Sequence, residues 1–519
     1  MSLAITGTSR DQPTLPARTA RPHLADLTVL LVLAALRLLL HLFANAHYGF
    51  HRDELAVLDD ARQLAWGYVA YPPLTPLLGR IELILFGTSL VGLRFFAALA
   101  QCVAMLLAGL IARELGGRRA AQVLAALATA CMPFSLLAGS EFMYVTFDFL
   151  WWVLLAWLLL RLLNSGDPRW WLALGGVIGL GMLTRYTMLF CVAGLVAGVL
   201  ATPLRRQLAG GWLWAGVALA LLLLLPNLLW QLRHDLVYLD FVRHIHARDV
   251  RSGRTDGFFI QQLYANASVF TLPLWLGGLG FLMWAKDAAR YRTLAWLYLV
   301  PLTLFALAQG RGYYMVPAYP MLLAAGAVAG ERWLDRQRPR VARGLRLATW
   351  TLLALAGISS AAIALPLAPV NSLGWRISRA AHDNFAEQIG WRELVAQVAA
   401  IYRALPAPER AHTGILASNY GEAGAIDLYG PALGLPPVIS GVNSYWYRGY
   451  GDPPPQTLIV LGADPSAIRH APADCTPAGT VSNRYGVANE ESREHPQIFL
   501  CRQLRVPWAT FWPRLRSFG

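Results

Sequence analysis

The sequence predicts a mainly α-helical, polytopic membrane protein that ends in an α/β domain. Of its 519 residues, 56% are hydrophobic and only 14% are charged, where soluble domains carry roughly 25% charged residues. About eleven apolar runs near the ~20-residue length that spans a bilayer recur before residue 370: near 26–45, 89–112, 119–138, 146–163, 170–184, 187–202, 212–230, 266–285, 293–309, 313–330 and 347–368. After Leu367 the long runs stop and short buried strands alternate with helices.

The first run follows a basic stretch holding Arg10, Arg18 and Arg21 without a small-residue cleavage site, so it reads as an uncleaved helix. Between the first two runs, Leu55, Leu58, Ala61, Leu64 and Ala65 recur at helical spacing with Asp59, Asp60, Arg62 and Gln63 between them. This is an amphipathic helix lying along the membrane interface, stopped by Pro72, Pro73 and Pro76. The first outer loop is thus 46–88. In the tail, Trp391 to Leu405 has the helical spacing Leu394, Val395, Val398 and Ile401. Residues 413–418, 437–440 and 457–461 read as strands, with a helix at 421–429. The alternation predicts a partly parallel sheet. The division is a membrane domain over 1–369 and a soluble α/β domain over 370–519.

The formal charge of +14 is almost wholly arginine; Lys286 is the only lysine. In a soluble chain such charge would point to nucleic acid, but here most of it lies between apolar runs, so no nucleic-acid partner is expected. Arg113/Arg118/Arg119, Arg205/Arg206, Lys286/Arg290/Arg292 and Arg332 to Arg346 occupy alternate short loops. That is the positive-inside pattern, with a cytoplasmic N-terminus. Eleven crossings then put the C-terminal domain outside. One outward loop, 231–261, breaks the pattern with Arg233, Arg243, Arg248, Arg251 and Arg254, a cluster that could meet an anionic ligand. Cys102, Cys131 and Cys191 read as small core residues; Cys475 and Cys501, if outside, could form a disulfide.

The candidate chemistry is sparse. Asp53 and Glu54 open the interfacial helix, where acids also serve the helix dipole. Asp148 stands at the outer lip of the fourth run, as a cavity acid or as counter-ion to an arginine. Arg185 and Arg311 fall in short outward turns and offer forks suited to phosphate oxygens or lipid headgroups. Two acids and two arginines around an outward cavity suit transfer from a phosphate-linked donor, and equally an ion-coupled transporter or lipid flippase.

The stretch His51-Arg52-Asp53-Glu54-Leu55, then Asp59 to Tyr68 and Pro72-Pro73-Leu74-Thr75-Pro76-Leu77, closely resembles the first outer loop of bacterial membrane glycosyltransferases. These are GT-C relatives of dolichyl-phosphate-mannose–protein mannosyltransferase. The resemblance continues in order through Thr146-Phe147-Asp148, Leu183-Thr184-Arg185-Tyr186, Pro226 to Gln231, Tyr313 to Pro320, Asn419 to Gly430 and Ser440 to Trp446, and so covers nearly the whole chain.

The resemblance implies sugar transfer from a polyprenyl-phosphate donor outside the bacterial inner membrane to a protein or glycolipid hydroxyl, with mannose as the default hexose. Asp53 matches the family's catalytic aspartate and Asp148 its second-loop acid, with Glu54 beside them. Arg185, with Arg311 and Arg52, is expected at the donor phosphate. Tyr71, Pro72, Pro73, Tyr313 and Tyr314 are expected to line the cavity. Aminoarabinose transferases of this superfamily carry an acid and a lysine just before the proline pair, where Ala70 and Tyr71 stand here. That departure weighs against aminoarabinose transfer and leaves divalent-metal use open; an aminoarabinose- or arabinose-type transferase acting on a glycolipid stays as an alternative.

Overall fold

The helix Phe95–Glu114 is largely buried within the bundle. At its start, buried Arg94 bonds Glu54; at its end, Glu114 accepts from Arg161 and Asn164. Twenty residues at ~1.5 Å each make about 30 Å, the thickness of a bilayer's hydrocarbon. The computed structural model describes residues 24–264 and 266–519; Arg10, Arg18 and Arg21 lie outside them.

Every run read as a span contains helix. Five helices among the described residues are long and apolar enough to cross a membrane alone: Asp26–Ala44, Leu90–Glu114, Tyr144–Ser165, Gly211–Arg233 and Pro339–Ala364. The number rises to seven when two bent pairs are each counted as one span. Shorter helices run alongside, among them Trp170–Met182, Met188–Ala201, Leu272–Trp284, Arg292–Leu307 and Tyr319–Leu334. Glycines let two pairs touch backbone to backbone. A Cβ on Gly175 would lie 2.1 Å from the Gly216 carbonyl oxygen, and one on Gly326 would lie 1.8 Å from that of Leu274. Close approach of this kind replaces the hydrophobic drive that helices lack in lipid.

The arginine-rich loops converge at one end. Arg118 meets Glu331 and Asp335, Arg332 meets Asp287 and the Leu115 carbonyl, and Arg290 reaches Asn164. The opposite end carries the helix Arg52–Arg62 and the C-terminal sheet.

That sheet has the order β2-β1-β3-β5-β4, with β1 (Thr413–Ala417), β2 (Val438–Ile439), β3 (Thr457–Leu461), β4 (Asp474–Thr480) and β5 (Gln497–Arg502). β2, β1 and β3 run parallel; β5 and β4 add antiparallel. Cys475 faces Cys501 across β4 and β5, and the two are disulfide-bonded. The helices Trp391–Ala404 and Tyr420–Tyr429 pack beside the sheet. Gly424 lets the second of these close on the helix Arg52–Arg62, since a Cβ there would lie 2.7 Å from the Leu55 carbonyl.

Four features differ from the sequence reading. Residues after the proline pair form a helix, Leu74–Phe86. Pro76 is tolerated because it lies in the first turn, whose N–H groups have no intrahelical partner. The outer loop therefore holds two helices, the second exposing Ile84 and Leu85. The third predicted span breaks at Met132–Pro133 into Arg119–Ala130 and Pro133–Ala138. The basic loop 231–261 is largely the helix Val237–Arg251. β4 and β5 were not expected: β4 is a largely exposed edge strand with no apolar run to betray it.

Candidate active site

Helix Arg52–Arg62 begins with a reciprocal cap. The His51 ring accepts from the Asp53 N–H (3.1 Å), and the Glu54 carboxylate accepts from the His51 N–H (2.7 Å). Successive helical residues point about 100° apart, so the two neighbouring acids part company. Asp53 faces a cavity of about 910 Å³, together with Ala56, Val57 and Asp60 one and two turns on. Glu54 turns into the protein.

Glu54 is 0% exposed. It takes a two-pronged bond from Arg94 (2.8 and 2.7 Å) and accepts the Phe142 N–H at 2.8 Å. Its lone pairs are spent on structure, and it does not line the cavity. This corrects the expectation of a catalytic role for Glu54.

Asp53 keeps 35% of its side chain exposed. The Tyr420 hydroxyl donates to its Oδ1 at 2.8 Å, and Arg52 Nε lies 3.9 Å away. Burial works against its charge, but His51, Arg52, the Tyr420 hydrogen bond and Arg311 hold the carboxyl below the ordinary aspartate range. The His51 imidazole is itself pushed down to about 4, chiefly by burial. At neutral pH that ring is therefore uncharged, and the arginines supply the lasting positive charge.

Arg185 lines the same cavity, its guanidinium centred 4.4 Å from the Tyr314 ring, 5.3 Å from Tyr144 and 5.9 Å from Tyr313. Such stacking fixes the plane of an arginine and leaves its N–H edge free. Asp148 stands behind it. It is 2% exposed, accepts from Trp152 and Thr187 at 3.1 Å each, and lies 3.7 Å from Arg185. It does not line the cavity and sits as a counter-ion to Arg185.

Arg311 also faces the cavity, clamped by Asp249 at 2.5 and 2.6 Å. Arg52 is engaged by acids from the tail, Glu490 at 2.7 Å and Glu491 at 3.2 Å. Of the expected lining residues, Tyr71, Pro72, Tyr313 and Tyr314 are present. Pro73 is not; it precedes the first turn of helix Leu74–Phe86. Leu189, Phe190, Leu224, Leu228, Leu239 and Phe305 form an apolar wall. Arg243 and Arg248, from the basic helix Val237–Arg251, join the lining. Among the described residues no group of three or more His, Cys, Asp or Glu side chains is placed to hold a metal ion.

Sequence reading assigned no role to Tyr420, Asp249 or Asp60. Tyr420 lay within the Asn419–Gly430 stretch that carries the family resemblance, which was the available signal. Asp249 had only its place in the basic loop.

The fold is one shared with solved structures of ArnT. ArnT of Cupriavidus metallidurans bound to undecaprenyl phosphate superposes with a TM-score of 0.59 at 14% identity, over 92% of this chain and 98% of that one. Its apo form gives 0.53 at 16% identity, over 93% and 99%. At such identities the likeness establishes the fold. Residues 70–230 match the sequence pattern of the family described as dolichyl-phosphate-mannose-protein mannosyltransferase. The undecaprenyl phosphate-alpha-4-amino-4-deoxy-L-arabinose arabinosyl transferase 1 of Pseudomonas fluorescens (strain Pf0-1) is 30% identical over 284 residues, covering 50% of this chain and 48% of that protein. The chain thus matches about half the length of that curated relative.

Proposed function

We propose that the protein transfers a sugar from a polyprenyl-phosphate donor to a hydroxyl acceptor, with inversion at the anomeric carbon. The observation that carries this is Asp53: an accessible carboxylate held below the usual aspartate range, facing the same cavity as Arg185 and Arg311. The acceptor hydroxyl gives its proton to Asp53 as its oxygen bonds the anomeric carbon. The bond from that carbon to the phosphate oxygen breaks, and its electron pair leaves with the polyprenyl phosphate. Arg185 and Arg311 stabilise the charge that develops there. The prenyl chain lies along the apolar wall.

A mannose-like hexose is the first sugar to test, and a protein or glycolipid hydroxyl the acceptor class. A second reading, transfer of 4-amino-4-deoxy-arabinose, is favoured by the name of the Pseudomonas fluorescens relative. Purified protein in nanodiscs, given polyprenyl-phosphate mannose or the aminoarabinose counterpart, separates the two by which donor is consumed. Asp53→Asn should stop consumption while folding stays normal. Retained turnover in that variant, or donor flux into vesicles without bond cleavage, overturns the proposal.

We place the protein in the bacterial inner membrane with eleven crossings, a membrane catalytic domain over 1–369 and an extracytoplasmic domain over 370–519. The gathering of basic loops at the end far from the sheet supports a cytoplasmic N-terminus. The Cys475–Cys501 disulfide supports an oxidising compartment for the tail. Thiol alkylation in intact cells, before and after reduction, tests this: only an external pair becomes labelled after an impermeant reductant.

A further inference from the structure

The cavity has a second carboxylate that the proposed mechanism does not use. Asp60 lies seven residues after Asp53 on the same face of helix Arg52–Arg62, about 10 Å further along its axis. Between them that face offers only Ala56 and Val57, a low apolar floor.

Asp60 is surrounded by hydroxyl chemistry. Tyr71 donates to its Oδ2 at 2.6 Å, and Arg448 donates to its Oδ1 at 2.6 Å. Tyr445 lines the cavity beside them, its ring 4.1 Å from the Arg448 guanidinium centre. Tyr445 is 4% exposed, and its enclosed hydroxyl has no hydrogen-bond partner. Leaving a buried hydroxyl without a partner is unfavourable, so an unpartnered hydroxyl on a residue that lines the cavity points to a partner brought by the ligand.

Building on the glycosyl transfer proposed above, we propose that Asp60, Tyr71 and Tyr445 form the subsite that recognises the hydroxyls of the donor sugar on the side of the ring away from its anomeric carbon. The spacing suits one monosaccharide: the reacting end at Asp53 and the arginines, the ring over Ala56 and Val57, the far hydroxyls at Asp60 and Tyr445. Arg448 keeps Asp60 oriented. Because Arg448 and Tyr445 come from the turn after β2, this assigns the C-terminal segment a part in sugar selection. Burial holds the Asp60 carboxyl at about 6 against the pull of Arg448, so it is mostly ionised at neutral pH and acts as an acceptor for ligand O–H groups.

The test uses the full chain in nanodiscs with polyprenyl phosphate, polyprenyl-phosphate mannose and its 4-deoxy and 6-deoxy analogues. Wild-type protein should be stabilised against heating more by the mannosyl lipid than by polyprenyl phosphate alone, and should turn over at least one deoxy analogue at least tenfold more slowly. Tyr445→Phe, which keeps the ring on Arg448, should raise donor KM about tenfold with kcat within threefold, and should erase that discrimination. Asp60→Asn should do the same more strongly. Turnover with unchanged discrimination in both variants overturns the subsite and leaves the transferase reading standing. Sugar-dependent stabilisation that is lost in Tyr445→Phe, without turnover by wild type, keeps the subsite and overturns the transferase reading. A variant that loses melting temperature but keeps wild-type discrimination marks its residue as structural and removes it from the subsite. Equal stabilisation of wild type by both lipids, with no donor consumed, overturns subsite and reaction together.

Discussion

Tyr420 donates a 2.8 Å hydrogen bond to Asp53 across 367 residues of sequence. The carboxylate proposed above as the base is here oriented by a phenol from a helix packed beside the C-terminal sheet. The C-terminal segment therefore contributes a side chain to the candidate site.

Tyr420→Phe removes that bond and leaves the ring in place. A hydrogen bond to a charged group is worth about 1.5–3 kcal/mol, so kcat/KM should fall at least tenfold. The Asp53 carboxyl should also lose part of what holds it low, moving the acid limb of the pH–rate profile to higher pH. A profile identical to wild type would remove Tyr420 from the site.

Arg185 and Asp148 should behave as donor contact and support. Arg185→Ala should lower kcat/KM by about 10²–10³, the usual cost of a lost charge-stabilising donor. Asp148→Asn should cost less, about tenfold by its loss of hold on Arg185, and chiefly in donor KM. Steady-state kinetics decide this. If Asp148→Asn is as inactive as Asp53→Asn, Asp148 reacts directly.

Glu54 should report on stability. Glu54→Ala strands the fully buried Arg94 guanidinium and should destabilise by about 3–5 kcal/mol. The double variant Glu54→Leu with Arg94→Leu should recover part of that loss, as read by thermal unfolding in detergent. Normal melting of Glu54→Ala with lost turnover would return Glu54 to the reaction.

Glu141 predicts a pH slope. Burial first, and then repulsion from Glu54, push its carboxyl up to about 8, although Asn384 donates to it at 3.0 Å. The folded state therefore holds a proton that the unfolded state releases near 4.5. Stability from this group is full below that lower value and is lost as pH rises towards 8, by up to ~1.4 kcal/mol per unit. The melting temperature should fall between pH 5 and 8, and Glu141→Gln should flatten the slope in part. The remainder is shared by other carboxyls that burial raises, among them Glu387 to about 8 with the neighbouring Glu491, Glu82 to about 9 and Asp60 to about 6. A slope unchanged in Glu141→Gln would show that Glu141 is ionised throughout.

Apolar length and arginine spacing were enough to find the helices of the bundle and the basic loops, because lipid demands them locally. Alternating strands and helices likewise disclosed β1, β2, β3 and the helix Trp391–Ala404. The edge strand β4 stayed hidden because exposed strands carry no burial pattern. Helix Leu74–Phe86 hid behind its prolines, which break a helix interior but not a first turn.

The site divides in the same way. Asp53 and Arg185, which share the cavity, could be picked out from sequence by their place beside apolar runs and by family resemblance. Whether Asp53 or Glu54 faces the cavity could not, because adjacent residues differ only by the ~100° that a helix turns, and direction has meaning only once Arg94 and the cavity are in place. Asp148 became a support because Arg185 packs against it, and Tyr420 reached Asp53 only through the docking of the sheet. Sequence by itself determined which charged groups flank the apolar helices. Tertiary packing decided which of them share a cavity, because that depends on contacts between residues hundreds of positions apart.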